Sequence, residues 1–207
     1  MCIDDIRTRL STHRPALLDL DNNRHAAVAM ILQPGSGGLD VLFIERSRNE
    51  ADPWSGQMAF PGGIVEAYDA SARSAARRET LEEVGIDLTR AEFVGRLDDL
   101  AGRHRTHRTG TGIVVSGFVF YDDQCQRAAP NHEVAEIVQE PLATFMDDDR
   151  FTFVEHPSAP GERFPGVRVG RSGRQVVWGL TRRFVTTFFE LAGLRFLAEP
   201  ASPQQTV

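Results

Sequence analysis

Residues 62–86 read Gly-Gly-Ile-Val-Glu-Ala-Tyr-Asp-Ala-Ser-Ala-Arg-Ser-Ala-Ala-Arg-Arg-Glu-Thr-Leu-Glu-Glu-Val-Gly-Ile, and they decide the fold. The alanine- and arginine-rich run from Ala70 to Val84 has the composition of a helix, with Asp69 or Ser71 placed to cap its start and Gly85 to end it. At about 100° per residue, Glu79, Glu82 and Glu83 project within an arc of roughly 100° on one side of that helix. Three carboxylates so close repel one another unless something positive lies between them. An oxygen-only cluster of this kind suits a hard divalent cation, Mg²⁺ in particular, which leaves positions open for water and substrate phosphates. The competing reading is a solvated acidic helix face relieved by neighbouring arginines. Immediately upstream, Pro61-Gly62-Gly63 bares backbone beside the helix, where the Gly63 carbonyl is placed to join the carboxylates.

Around this segment the chain is an ordinary globular one of 207 residues, 41% hydrophobic and 25% charged, with apolar material for one sizeable core. The balance of 23 basic and 29 acidic side chains gives a net charge of −6. That field argues against nucleic acid or an anionic membrane as partner, while leaving room for a locally basic pocket. Two cysteines, Cys2 and Cys125, supply neither a disulfide framework nor a CxxC metal pattern. The N-terminal residues show no secretory signal and no apolar run is long enough to span a bilayer, so a cytoplasmic location is expected. There is no lysine at all, which excludes lysine Schiff-base chemistry and a P-loop lysine.

Residues 1–24 read as an amphipathic helical extension, with Ile3, Ile6 and Leu10 and then Leu17, Leu18 and Leu20 as apolar positions; residues 25–198 form the main domain, and 199–207 a disordered tail. Strands are predicted at Ala26–Leu32 and Val41–Ile44, joined by a glycine-rich turn, and again at Phe93-Val94, Ile113–Phe120, Val134–Val138 and Val176–Trp178. A long loop occupies 99–112, and a helix from Leu180 to Leu197 places Phe184, Phe188, Leu191 and Leu194 on one face. Strands and helices alternate without a regular βαβ repeat, which predicts an α/β fold with a mixed sheet and helices on both faces.

Taken together, Gly63, Asp69, Arg78, Glu79, Glu82, Glu83, Gly85 and Ile86 resemble the Nudix box, a glycine, five residues, an acid, a spacer, then R-E-U-x-E-E-x-G-U with U aliphatic. Three departures stand out: Asp69 in place of Glu, eight residues rather than seven before Arg78, and Thr80 at an aliphatic position. A longer box with an early Asp is similar to the coenzyme A pyrophosphatase branch. So is Arg46-Ser47 followed by Gly56-Gln57-Met58-Ala59-Phe60-Pro61-Gly62-Gly63, together with Glu133-Val134, Pro141-Leu142 and Trp178-Gly179-Leu180-Thr181. In that signature seven residues with a central arginine follow Ser47, whereas here eight intervene, the arginine is displaced to Arg48, and Trp54 is placed either to fill the core or to stack on a base.

The resemblance implies a Nudix-like α/β/α sandwich with the catalytic box on a loop-helix-loop. It implies a pyrophosphohydrolase using Mg²⁺ or Mn²⁺ held by Gly63, Glu79, Glu82 and Glu83, with Arg78 as organiser. Glu82 is the favoured base, and Glu133 or Glu136 are the acids outside the box. Coenzyme A or its thioesters are the first substrates to consider; ADP-ribose, nucleotide sugars or dinucleotides are the second, and a catalytically silent nucleotide-binding module the third. Arg46, Arg48, Arg103, Arg105 and Glu133 are the substrate-binding candidates, the pair at 103 and 105 lying in the most basic patch of the chain, Arg-His-Arg-Thr-His-Arg. The partner implied is a small-molecule nucleoside diphosphate. Homodimers are common in the family, though this sequence carries no interface signal of its own.

Overall fold

The computed structural model describes residues 2–21, 23–49, 54–102, 112–156 and 159–199. The amphipathic N-terminal segment forms α1 (Ile3–Thr12) and then runs on without helix; Ile6 and Leu10 are buried, whereas Leu17, Leu18 and Leu20 are exposed. The helix lies on β5 (Glu92–Arg96), tied down by Arg7 hydrogen-bonded to Glu92 and by Leu10, which fits against the bare Cα of Gly95.

The glycine-rich turn joins β1 (Arg24–Gly35) and β2 (Gly38–Arg46), which pair antiparallel from Ile31↔Leu42 to Gly35↔Gly38 and then part. The gap is filled by residues 58–64. Within them β3 (Met58–Ala59) pairs β2, and β4 (Gly62–Ile64) pairs β1. On its other edge β1 runs parallel to β7 (Ile113–Tyr121), which also takes β5 and β6 (Leu100–Gly102) antiparallel. β8 (Val134–Pro141) covers the far edge of β2. The sheet is mixed, as the sequence predicts, and β6 takes up the start of the expected 99–112 loop; residues 103–111, with Arg103 and Arg105, lie outside the described residues.

Alternation along the strands sorts the core into two layers. On one face Ala27, Ala29, Ile31, Leu42 and Ile44 meet α2 (Ala72–Val84) through Ala75, Ala76 and Val84. Alanine against alanine lets that helix lie close to the sheet. On the other face Met30, Leu32, Val41 and Phe43 meet Phe184, Phe188 and Phe189 of α3 (Gly179–Leu191). The predicted C-terminal helix ends earlier than Leu197, because Gly193 takes a left-handed φ of 64° and Leu194 N donates to the Phe189 carbonyl.

The sequence predicts only the last strand of a second, three-stranded antiparallel sheet made of β9 (Phe151–Glu155), β10 (Arg163–Val169) and β11 (Gln175–Trp178). Pro165 and Gly166 interrupt β10 at the level of sequence. Their register opposite Phe153 and Thr152 shows the strand continuing through them.

Candidate functional site

The box helix starts where the sequence allows it. Ser71, the second of the two candidate caps, accepts from Ser74 N at 3.1 Å, and Ser74 Oγ returns a bond from Ser71 N at 2.7 Å. Gly85 ends the helix with φ of 71°. Thr80 is fully buried at the aliphatic position of the box and donates its hydroxyl to the Ala76 carbonyl at 2.7 Å, so its polarity is absorbed within the helix.

Two glycines set the distance between helix and strand. Any Cβ at Gly62 would collide with the Ala27 carbonyl, and one at Gly63 would stand 2.5 Å from the Glu79 carboxyl carbon. The Gly63 backbone is thus the surface on which the Glu79 carboxylate rests.

Arg78 gathers the acids. Its Nε and Nη2 donate to the two Asp69 oxygens at 3.1 and 2.9 Å, Nη2 also reaches the Ile64 carbonyl at 3.1 Å, and Nη1 donates to Glu79 at 2.8 Å and Glu82 at 3.2 Å. This fork holds Asp69 well below the ordinary carboxylate range. The spare residue between Asp69 and Arg78 therefore does not prevent a bidentate pair.

Glu83 is 2% exposed. One oxygen accepts from Gly62 N at 2.9 Å; the other faces Arg46 Nη1 at 3.9 Å, an ion-pair separation rather than a hydrogen bond. Burial, with the nearby charges of Glu79 and Glu133 adding to it against Gly62 and Arg46, pushes the Glu83 carboxyl up to about 7. Burial also raises Glu79, and there again Glu82 and Glu133 add to the effect.

The structure brings Gly63, Arg78, Glu79, Glu82 and Glu83 together. Glu82 is the most open of the three box glutamates, with a side chain 55% exposed against 17% for Glu79 and 3% for Glu83. Arg46 and Glu133 stand close enough for their charges to act on Glu83. Arg48 is exposed and forms no ion pair with the cluster. Glu136 accepts from the Gln175 amide at 2.8 Å, in contact with the second sheet and not with the box. Trp54 packs half-buried against the core. Asp69, the other candidate cap, does not cap the helix but anchors Arg78.

Among the described residues no group of three or more metal-ligating side chains stands as a ready-made cage, and Arg78 Nη1 bridges Glu79 and Glu82. The donor set nonetheless fits a hard divalent cation. It is all oxygen, two of its carboxylates are pushed up by burial and mutual repulsion that a cation would relieve, and the Glu79 carboxylate lies on bare Gly63 backbone.

The NUDIX domain profile matches residues 23–156. A protein named Uncharacterized Nudix hydrolase NudL from Enterobacter sp. (strain 638) is 32% identical over 191 residues, 87% of this chain and 90% of the relative. Uncharacterized protein C14C4.10c of Schizosaccharomyces pombe is 56% identical over 84 residues, 39% of this chain, and that match spans only 25% of the yeast protein. A MutT/nudix family protein from Enterococcus faecalis shares the fold, with a TM-score of 0.53 at 14% identity over 93% of this chain and 70% of that one. The chain belongs to the Nudix family, and it is an enzyme of the pyrophosphohydrolase class.

Proposed function

We propose that this protein hydrolyses the diphosphate of coenzyme A or acyl-coenzyme A, releasing adenosine 3′,5′-bisphosphate and 4′-phosphopantetheine or its acyl form. The observation that carries the reaction is Glu83, a buried carboxylate beside two further acids, whose charge asks for a cation. The substrate reading rests on the resemblance of the residue 46–63 segment and the longer box to the coenzyme A pyrophosphatase branch.

Glu79, Glu82, Glu83 and the Gly63 carbonyl would hold Mg²⁺ or Mn²⁺, which when bound neutralises the diphosphate and lowers the pKa of an attacking water. Arg78 fixes which oxygens of Glu79 and Glu82 face the substrate, and Asp69 fixes Arg78. Arg78 Nη1 engages Glu82 Oε2, leaving Oε1 to take a proton from water as it attacks phosphorus. Arg46, Arg48, Arg103 and Arg105 are assigned to the substrate phosphates, and Glu133 to the substrate rim. Homodimerisation and a cytoplasmic setting belong to the same proposal.

The test is a panel of coenzyme A, acetyl-coenzyme A, ADP-ribose, a nucleotide sugar and NADH, compared by kcat/KM with Mg²⁺ and Mn²⁺. Coenzyme A or its thioester is expected to lead. A lead for ADP-ribose or a nucleotide sugar would overturn the substrate assignment and leave the reaction class standing.

A further inference from the structure

A cleft of about 320 Å³ opens where the end of β2 and the turn into β3 face the second sheet. One wall carries Glu45, Gln57 and Met58, the other Val176 and Trp178, and exposed Arg174 is the one cation lining it among the described residues. Trp178 is half-buried, and its ring is flanked by His156 at 5.3 Å and Phe164 at 5.4 Å, tilted by 39° and 42°. Opposite Trp178 in the β10–β11 register stands Gly166, where a Cβ would press on Val176 at 2.5 Å. The second sheet therefore offers an indole braced by His156 and Phe164, with no side chain on the residue directly opposite it in the register. The acidic wall is braced too, since the Gln175 amide donates to Glu136 at 2.8 Å and to Glu45 at 3.4 Å.

Neighbouring residues of β2 serve the cleft and the box. Glu45 and Arg46 are the last two residues of β2, where its pairing with β8 shifts register, and Glu45 lines the cleft. Arg46 reaches toward Glu83 at 3.9 Å, while its backbone N donates to the Gln57 carbonyl at 3.1 Å and its carbonyl accepts from Gly56 N at 3.1 Å. Adjacent positions at the end of β2 thus face the carboxylates and the cleft.

Building on the diphosphatase reading, we infer that this cleft takes the purine base of the substrate's nucleotide half, stacked on Trp178 with its polar edge met by Gln57 and Glu45. A planar ring gains from a rigid aromatic platform, and an exocyclic amine donates to a carboxylate that has no proton to offer. The positive charge of Arg174 at the lining matches a nucleotide phosphate. The pantetheine half has neither an aromatic ring nor an amine of that kind, so the same walls give it less.

Trp54 and Trp178 are the two tryptophans of the chain, so Trp54→Phe leaves Trp178 as sole reporter. Titrated without metal, adenosine 3′,5′-bisphosphate is expected to quench its fluorescence saturably, and 4′-phosphopantetheine to leave it unchanged. Independently of that background, Trp178→Leu in the otherwise native chain is expected to raise KM for the best adenosine diphosphate-linked substrate about tenfold, with kcat within about twofold and partial rescue in Trp178→Phe. Quenching by neither ligand, quenching by 4′-phosphopantetheine alone, or an unchanged KM in Trp178→Leu would overturn the assignment. Should ADP-ribose replace coenzyme A as best substrate, the adenosine nucleotide still quenches, so failure of the substrate reading and failure of the cleft are told apart.

Discussion

Among the described residues two glutamates are buried, Glu83 at 2% exposure and Glu140 at 5%, and their surroundings differ. Glu140 accepts from the Thr144 hydroxyl and from Gly170 N, each at 2.6 Å, one on each oxygen. It ties β8 to the turn that follows it and to the end of β10. The Glu83 carboxylate accepts a single hydrogen bond among the described residues, from Gly62 N, and otherwise faces Arg46 at 3.9 Å with two more acids near by. A buried charge satisfied on both oxygens serves the fold. One left short of partners among like charges costs the fold stability, which fits the cation site proposed for it.

Glu83→Gln breaks the comparison most sharply. It keeps shape and burial and removes the charge, so kcat is expected to fall about a thousandfold with the fold intact by circular dichroism. Gly63→Ala comes next. Its Cβ would stand 2.5 Å from the Glu79 carboxyl carbon, which must swing away, and kcat/KM is expected to drop about 10–100-fold at unchanged helix content.

The third effect is on stability. Glu83 titrates at about 7 in the folded chain against an ordinary 4.5, so the folded state keeps a proton that the unfolded chain has already lost. The stability this contributes is complete below pH 4.5 and is lost as pH rises through about 7, on the order of 3 kcal/mol in metal-free protein. Denaturant titrations across that window should show the fall in the native chain and a smaller one in Glu83→Gln. Glu140→Gln is the mildest in activity. An amide NH₂ replaces one acceptor, so about 1–3 kcal/mol of stability is expected to be lost, with kcat within about twofold, read from the same titrations and assays.

The contrast also marks what the sequence makes legible. The spacing of Gly63, Asp69, Arg78 and the three box glutamates is local, running over one loop and one helix, and it places the acids on one face before any tertiary structure is known. The burial of Glu83 is not local. It comes from Gly62 pairing with Val28, and from Arg46 arriving on a strand whose partners are set by the splitting of β1 from β2. The second sheet stayed hidden for a related reason: Phe151, Phe153, Val167 and Val169 do alternate, but Pro165 and Gly166 interrupt the pattern that pairing restores. Trp178 was legible as a signature residue, whereas the cleft beside it exists only once that sheet is placed against β2.

The most direct measurement is calorimetric titration of Mn²⁺ into the protein at pH 6, in two buffers of different ionisation enthalpy, for the native chain and Glu83→Gln. At that pH Glu83 carries its proton, and binding is expected to release close to one proton per ion in the native chain and none in the variant, with weaker affinity. Equal affinity and equal proton release in the two proteins would contradict the placing of Glu83 at the metal.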